Sequence, residues 1–355
     1  MIKRINKLKE KLKEKDIEAF LVTKKENLRY LSNFTGTSGK LLITQKDNIF
    51  ITDFRYLDQA ADQTDGCVIE EISSNFMEGF SELLKRKNIK ELAFESSAVN
   101  YKLYQKMSEN LDLNKLTAVE SLVEDLRLIK DESEIEKLKK AVEIADQGFD
   151  FLLDFIKVGK TEKEIALELE FFMKRNGGEA NAFDFIVASG KRGALPHGVA
   201  SNKKIENGDL VTIDFGTVFQ GYHSDITRTI AVGEPKSKLK DIYELVLSAQ
   251  KKVISEIKAG MSCVDADKIA RDFIAEAGYK ENFGHGLGHG IGLEIHEGPR
   301  LSYTSDKVLE PGMVVTDEPG IYVSNLGGVR IEDDLLITEE GCEVLNSAPK
   351  ELIIL

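Results

Sequence analysis

One short segment of the chain occurs twice, 101 residues apart, and this repeat constrains the fold more than any other feature. Residues 156–161 read IKVGKT and residues 257–262 read IKAGMS, and each copy lies between two stretches of helical periodicity. Those stretches are 133–157 and 162–175, then 239–258 and 263–277. A glycine-punctuated strand region follows each pair. We predict an α+β domain with a pseudo-twofold repeat and helices backing a curved sheet, although two similar helix junctions can also arise by chance.

The first part of the chain has a different pattern, in which short apolar runs alternate with amphipathic stretches. The predicted strands are 19–22, 41–44, 49–52, 68–72 and 92–94, and the predicted helices are 2–12, 76–87 and 100–110. Alternation of this kind is typical of an α/β domain. We therefore predict an α/β domain over residues 1–123 and a second domain, which contains the repeat, over residues 124–355.

Composition excludes several classes of function. The formal net charge is -13, and acidic and basic residues are mixed along the chain, which argues against a nucleic-acid or anionic-membrane partner. Cys67, Cys263 and Cys342 are far apart and form no CxxC pair, so neither a disulfide framework nor a thiolate zinc site is indicated. No secretory leader or run of about 18 apolar residues is visible. We predict a cytoplasmic protein.

Four carboxylates lie on strand-like segments of the second predicted domain, two after each helix pair. They are Asp214 and Asp225 in the first half and Glu318 and Glu332 in the second. An unpaired charge inside a protein is costly, so these positions need compensation. A bound cation is the compensation that the pattern indicates.

Turn positions predict that the four carboxylates meet. If residues 219–220 form a two-residue hairpin turn, the two acids of the first half face each other across the ladder. Gly221 could move that turn by one residue. A reversal centred on Asn325, in a stretch of Asn and Gly, places the two acids of the second half opposite each other in the same way. Two hairpins then aim four carboxylates at one point.

His289 lies among alternating glycines in 284–292, where the backbone can approach a ligand closely. Five ligands are too many for one catalytic ion with an open position and too few for two separate ions, whereas two ions that share bridging ligands reconcile the count. Oxygen-rich ligands with one imidazole favour Mn²⁺ or Co²⁺, with Fe²⁺ and Zn²⁺ as alternatives. The predicted metal ligands are Asp214, Asp225, His289, Glu318 and Glu332.

At these residues the chain resembles the pita-bread metallopeptidases, in particular the Xaa-Pro branch that contains prolidase and aminopeptidase P. The matching segments are 188–190, 195–198, 213–216, 224–229, 288–290, 318–320 and 329–333. The resemblance implies a pita-bread fold for 124–355 and a creatinase/prolidase-type domain before it. It also implies two metal ions held by the five ligands, proline-containing peptides as substrates, and a homodimer.

The resemblance further implies roles for the residues around the metals. The implied catalytic residues are Glu318, which passes a proton to the proline nitrogen, and His197 and His296, which steady the tetrahedral intermediate. From the residues themselves, His285 is expected to line the pocket, Arg300 to clamp a substrate carboxylate and Tyr322 to orient or contact the substrate. Arg330 has the charge to pair with a metal-binding carboxylate. His197 and His296 have a plainer alternative as loop histidines, Arg300 as an exposed arginine and Tyr322 as a core tyrosine. His223, on the opposite strand face from Asp225, is expected to be structural or exposed.

Alternative functions remain open at this point. A catalytically silent peptide-binding member of the same fold is one, but retention of all five ligand positions argues against it. A creatinase-like carbon-nitrogen hydrolase is another, and it lacks this dinuclear ligand set. The sequence does not separate a dipeptidase from an aminopeptidase, because one residue such as Arg300 cannot decide whether the substrate ends after proline.

Overall fold

The computed structural model describes residues 2–72 and 75–355. The chain divides into two compact units, Met1–Arg127 and Leu128–Leu355. No helix within the described ranges combines the length and apolar character that crossing a membrane requires.

The first unit is built on one six-stranded mixed sheet, ordered β4-β3-β2-β1-β5-β6. Its strands are β1 Ala19–Val22, β2 Lys40–Thr44, β3 Asn48–Thr52, β4 Val68–Glu71, β5 Glu91–Glu95 and β6 Lys115–Val119. Its helices are α1 Ile2–Glu14, α2 Lys25–Ser32, α3 Leu57–Gln63, α4 Phe76–Arg86, α5 Tyr101–Asn110 and α6 Glu124–Arg127, with a 3-10 helix at Phe54–Tyr56. The predicted α/β class is confirmed.

Apolar spacing explains these elements. In α1 the buried residues Ile5, Leu8 and Leu12 follow helical spacing, and the Lys and Glu residues between them lie outside the apolar stripe. All four residues of β1 are buried, as expected for a strand in the centre of a covered sheet. The sequence analysis did not predict β6, α2, α3 or α6.

The second unit contains four long helices and several small antiparallel sheets. The helices are α7 Glu132–Phe155, α8 Glu162–Arg175, α9 Ser237–Glu256 and α10 Cys263–Glu276, with 3-10 helices at Gly190–Ala194 and Lys280–Asn282. The strands are β7 Ala180–Asn181, β8 Ile186–Ser189, β9 Asp209–Phe215, β10 Thr217–Phe219, β11 Tyr222–His223, β12 Ile226–Val232, β13 Gly288–Gly290, β14 Glu297–Leu301, β15 Val314–Asp317, β16 Gly320–Val323, β17 Gly327–Arg330, β18 Asp333–Ile337 and β19 Cys342–Val344.

The predicted internal repeat is confirmed. Gly159 and Gly260, both with positive φ, follow α7 and α9, and each donates its amide to a later strand-like segment, at Ile205 and Leu309 respectively, over 2.9 Å. The α7/α8 pair packs against β9 and β12 in one apolar cluster, and the α9/α10 pair packs against β15 and β18 in another. Two similar halves therefore each support a sheet with two helices.

The predicted pairing of the first hairpin is wrong. Asp214 pairs with Thr227, not with Asp225, because the two-residue turn lies at Gln220 and Gly221. Both turn residues have positive φ, 46° and 80°, as a type I′ turn requires. Asp225 instead immediately precedes β12, and its own backbone amide donates to the side chain of Asp334 over 3.0 Å.

The second hairpin has the predicted register. Asp317 pairs with Asp333 on one side of the predicted Glu318 and Glu332 pair, and Gly320 pairs with Arg330 on the other. The halves join where Thr227, in the first, forms an isolated antiparallel bridge with Glu332, in the second. This bridge brings the acidic segments of the two halves together.

Candidate metal centre

Three of the predicted ligands form a compact group. Asp225, His289 and Glu332 each offer one ligand atom, and these atoms all lie within 4.8 Å of one another. Asp225 and Glu332 are buried, and the His289 side chain is 12% exposed. They come from three places in the chain: the segment before β12, strand β13 and the link between β17 and β18. The fold therefore gathers ligands that are distant in sequence.

Glu318 adjoins this group. Nε2 of His289 lies 3.6 Å from Oδ2 of Asp225 and 3.6 Å from Oε1 of Glu318. Thr316 ties the two together, because its hydroxyl accepts from the backbone amide of His289 over 3.0 Å and donates to Glu318 over 3.3 Å. A single threonine thus fixes the spacing between the imidazole and this carboxylate.

Asp214 reaches the group through Arg330. Nη2 of Arg330 donates to Oδ2 of Asp214 over 2.5 Å, and both side chains are almost fully buried. Thr227, the strand partner of Asp214, donates its hydroxyl to Oε2 of Glu332 over 2.5 Å. All five predicted ligands therefore belong to one continuous cluster of contacts and mutual charge effects.

His289 has the tautomer that a metal ligand needs. Its Nδ1 lies 3.1 Å from the carbonyl oxygen of Gly290, so the proton is assigned to Nδ1, which donates to that oxygen. Burial lowers the pKa of His289 to about 4, which keeps the ring neutral. The lone pair of Nε2 then points at Asp225 and Glu318, an arrangement that favours a cation between them.

Electrostatics in the cluster are unfavourable without a cation. Burial, followed by repulsion from Glu332 and Asp214, raises the pKa of Asp225 well above its usual range. Burial raises the pKa of Glu318 to about 8, and Asp214 adds to the rise while Arg330 opposes it. One oxygen each of Asp214 and Asp225 is buried without a hydrogen-bond partner. Buried carboxylate oxygens without a hydrogen-bond partner are rare in folded proteins. The side chains of this cluster therefore fit the binding of divalent metal ions.

Arg330 connects the metal cluster to the surrounding side chains. It donates to the hydroxyl of Tyr322 over 2.8 Å, to the hydroxyl of Thr227 over 3.0 Å and to the carbonyl oxygen of Pro196 over 3.2 Å. The Tyr322 hydroxyl lies 2.9 Å from Nε2 of His285. Since Nδ1 of His285 lies 2.8 Å from the carbonyl oxygen of Gly286, we assign that ring a proton on Nδ1 and a bond accepted from tyrosine at Nε2.

Three further predicted residues are exposed around the cluster. The ring of His296 meets that of His289 edge to face, with centroids 4.3 Å apart. Arg300 pairs with His289 across β13 and β14, which places its side chain on the same face of the sheet. His197 is near enough to Asp214 and His296 to influence the pKa of both groups. His223 lies outside the cluster, with Nδ1 3.1 Å from the carbonyl oxygen of Gly292.

Sequence reasoning missed a buried network behind the cluster. Arg228 donates to Asp333 over 2.7 Å and to the backbone carbonyl of Glu332 over 2.5 Å, and Gln250 donates to Asp333 over 2.7 Å. Adjacent residues on a strand point to opposite faces. The run of three acids at 332–334 could therefore have shown that Asp333 faces away from the metal ligand beside it.

Comparisons with known proteins agree with this geometry. Residues 136–339 match the model of metallopeptidase family M24, and residues 4–129 match that of the creatinase/prolidase N-terminal domain. An Xaa-Pro dipeptidase of Pyrococcus horikoshii is 43% identical over 355 residues, 99% of each chain. A solved Xaa-Pro dipeptidase from Bacillus anthracis has a TM-score of 0.98 at 51% identity, over 100% of this chain and 99% of that one. A solved X-Pro aminopeptidase from Thermotoga maritima has a TM-score of 0.91 at 41% identity, over 95% and 97%.

Proposed function

The chain belongs to metallopeptidase family M24, and from that premise we propose that it is a dinuclear metal-dependent peptidase that hydrolyses Xaa-Pro peptide bonds. The observation that carries the proposal is the convergence of Asp225, His289 and Glu332, whose ligand atoms lie within 4.8 Å of one another. Full-length similarity to proteins named Xaa-Pro dipeptidase and X-Pro aminopeptidase supports the substrate class. The substrates are therefore proline-containing peptides.

The proposed metal ligands are Asp214, Asp225, His289, Glu318 and Glu332. The unpartnered oxygens and the neutral Nε2 support this set. Bound divalent ions supply a Lewis acid for the substrate carbonyl and lower the pKa of a bound water. Carboxylate oxygens with one imidazole and no thiolate favour Mn²⁺ or Co²⁺ over Fe²⁺ or Zn²⁺.

Glu318 is proposed to move the proton that the reaction requires. Without metal its pKa is about 8, because the carboxyl group is buried, and bound cations lower that value. Its carboxylate can then take up a proton near neutral pH and donate it to the proline nitrogen as the bond breaks. Thr316 donates to Oε1 of Glu318 and keeps the carboxylate oriented.

The exposed residues around the cluster are proposed to bind the peptide. His197 and His296 hydrogen-bond the developing negative charge of the tetrahedral intermediate. Arg300, on the same sheet face as His289, pairs with a substrate carboxylate. His285 and Tyr322 line the site and hold each other by a hydrogen bond. Arg330 holds Asp214 in place by a hydrogen bond and opposes the rise that burial causes in the pKa of Asp214.

Two further proposals concern the whole protein. The family resemblance supports a homodimer. Three unpaired thiols, at Cys67, Cys263 and Cys342, agree with a reducing compartment such as the cytoplasm. Neither proposal affects the roles assigned to the metal ligands.

The test is a comparison of matched peptides. We expect the protein with Mn²⁺ to cleave an Xaa-Pro dipeptide or an Xaa-Pro-Xaa tripeptide, while an Xaa-Ala control is cleaved far more slowly. Elemental analysis should find two ions per chain. Preference for the dipeptide identifies a dipeptidase and preference for the tripeptide an aminopeptidase. Absence of turnover on both peptides, with two ions bound, overturns the peptidase proposal.

A further inference from the structure

Two buried acids outside the metal cluster, one in each half of the repeat, hold the segments that carry site histidines. Glu162 is the first residue of α8, and Asp267 lies in the second turn of α10. Their exposed fractions are 0% and 1%. Each is paired with an arginine, Arg192 or Arg271. Neither acid contacts a proposed metal ligand, so the metal chemistry does not explain them.

Glu162 holds both ends of one segment, residues 189–201. One carboxylate oxygen accepts from the backbone amide and the hydroxyl of Ser189, both over 2.8 Å. The other accepts from the backbone amide of Ser201 over 3.0 Å, from its hydroxyl over 2.6 Å and from Nε of Arg192 over 2.9 Å. Arg192 also donates to the carbonyl oxygen of Val199 over 2.7 Å. One carboxylate therefore closes the segment into a loop.

The loop is also joined to the rest of the second unit by an isolated bridge between Val199 and Ile186 and by the backbone amide of Lys163, which donates to the carbonyl oxygen of Ser201 over 3.0 Å. Leu195 and Val199 are 50% and 55% exposed, and His197 between them is exposed as well. Apolar burial, the usual means of fixing a segment, is therefore small near the histidine. Next to His197, Arg330 donates a hydrogen bond to the carbonyl oxygen of Pro196. Glu162, Arg330 and backbone contacts near the ends of the loop therefore hold the segment that carries His197.

The second half repeats this arrangement with different residues. Arg271 donates twice to Asp267, over 2.6 Å and 2.7 Å, and its remaining hydrogen bonds go to the carbonyl oxygens of Phe283 and His285. Asp267 also accepts from the backbone amide of Leu287 over 2.9 Å. The main chain around His285 is therefore fixed by an acid and arginine pair on α10. In each half, a buried acid and an arginine fix a segment that carries a site histidine. This recurrence indicates that both histidines need a fixed position.

We propose that Glu162 and Asp267 are positioning residues of the peptidase, which hold His197 and His285 at the distance from the substrate that the reaction needs. This inference rests on the proposed function. A displacement of about 1 Å at a reacting group costs about 100-fold in rate. Loosening either loop should therefore impair catalysis without removing metal.

The decisive experiment is a double-mutant cycle on Glu162 and His197. We expect Glu162→Gln to lower kcat/KM for the preferred Xaa-Pro peptide about 10- to 100-fold, with two ions still bound per chain. In the His197→Ala background the same change should have almost no further effect, because the residue it positions is absent. The matched control is Glu164→Gln, two residues along the same helix turn, where glutamine can keep the capping box with Thr161.

A measurement independent of activity accompanies the cycle. Hydrogen exchange of segment 189–201 should speed up in Glu162→Gln and stay unchanged in Glu164→Gln. Additive losses in the cycle, or wild-type exchange and kinetics in Glu162→Gln, overturn the inference. If Glu162→Gln does not fold, Arg192→Gln replaces it in the cycle. The wild-type Arg192 side chain links Glu162 to the carbonyl oxygen of Val199, and because it is partly exposed its loss should be tolerated by the fold. If the wild-type protein does not cleave Xaa-Pro peptides, the proposed function is overturned. The hydrogen-exchange comparison then still decides whether Glu162 holds segment 189–201.

Discussion

Buried acids in the two units have opposite surroundings. In the first unit, Glu95 at the end of β5 is 3% exposed and accepts from the backbone amides of Thr23 and Lys24 over 2.6 and 2.7 Å. Asn27 donates to its other oxygen over 2.7 Å. In the second unit, Asp225 has one buried oxygen without a partner and is surrounded by other carboxylates.

The contrast distinguishes an acid that is fully hydrogen-bonded from one that we propose as a metal ligand. Both kinds lie at a strand end and both have their pKa raised by burial. What differs is how many oxygen lone pairs have donors. A buried carboxylate whose oxygens all accept hydrogen bonds stabilises the surrounding fold. A buried carboxylate that faces other carboxylates destabilises the fold when no cation is bound.

Metal removal should give the largest change in activity and stability. It tests directly whether the acids of the second unit depend on a bound cation while Glu95 does not. We expect chelation to abolish peptide hydrolysis and to lower the melting temperature. Glu318 has a folded pKa of about 8, above its usual value of 4.5, so the metal-free folded state binds a proton more tightly than the unfolded chain. Stability of the metal-free protein should therefore fall as pH rises from about 4.5 through about 8.

Thermal melts at pH 6 and pH 8.5, with and without chelator, check this prediction. The chelated protein should melt at a lower temperature at the higher pH, and added Mn²⁺ should remove most of that difference. Equal melting temperatures at both pH values in chelator would contradict the account of the cluster.

Glu318→Gln should give the next largest effect. The amide cannot carry the proton to the leaving nitrogen, so we expect turnover to fall by about 100- to 10,000-fold. Because a glutamine at this buried position cannot ionise and so adds no charge to the crowded group at any pH, the metal-free fold should not lose stability. Steady-state kinetics and circular dichroism test this, with exposed Glu339→Gln as the control. Turnover within tenfold of wild type would remove Glu318 from its proposed role.

Glu95→Ala should show the opposite behaviour. It leaves two backbone amides without their acceptor and removes one of the two acceptors of the Asn27 amide, at a cost of about 3 kcal/mol in the stability of the first unit. Activity per folded molecule should be unchanged. Hydrogen exchange in β1 and β5 gives the local free energy of opening, and exposed Glu91→Ala on β5 is the control. Unchanged exchange would show that donor saturation contributes little there.

Tyr322→Phe should give the smallest of these effects. The hydroxyl bridges Arg330 and His285, and burial raises its pKa to about 12, so it is neutral at physiological pH. Loss of the bridge should lower kcat/KM roughly tenfold, equivalent to about 1.4 kcal/mol. Metal content should not change. Exposed Tyr101→Phe is the matched control, and loss of metal in Tyr322→Phe would assign the tyrosine to metal retention.

Much of this architecture could be predicted from local pattern. Strands of the first unit follow apolar runs, and the helix pairs follow apolar periodicity together with the duplicated glycine junction. The acids were recognisable because charge interrupts apolar strands. These features depend on residues close in sequence, which is why periodicity reveals them.

Features that depend on distant neighbours were not predictable. The first hairpin was placed one residue too early, because Gln220 adopts the left-handed conformation that only glycine usually favours. Thr227 and Thr316 orient proposed metal ligands, and Glu162 holds a loop, yet each looks ordinary in its own segment. Their contacts depend on the folded structure: Thr227 contacts the other half of the repeat, whereas Thr316 and Glu162 contact distant segments of their own half.

The bridge between Thr227 and Glu332 has a consequence for how the protein matures. These residues are 105 positions apart, and bringing such distant segments together is a slow, entropically costly step. The ion-binding pocket therefore cannot exist on a nascent or half-folded chain. We therefore expect the protein to bind metal only after both halves of the second unit have folded and come together.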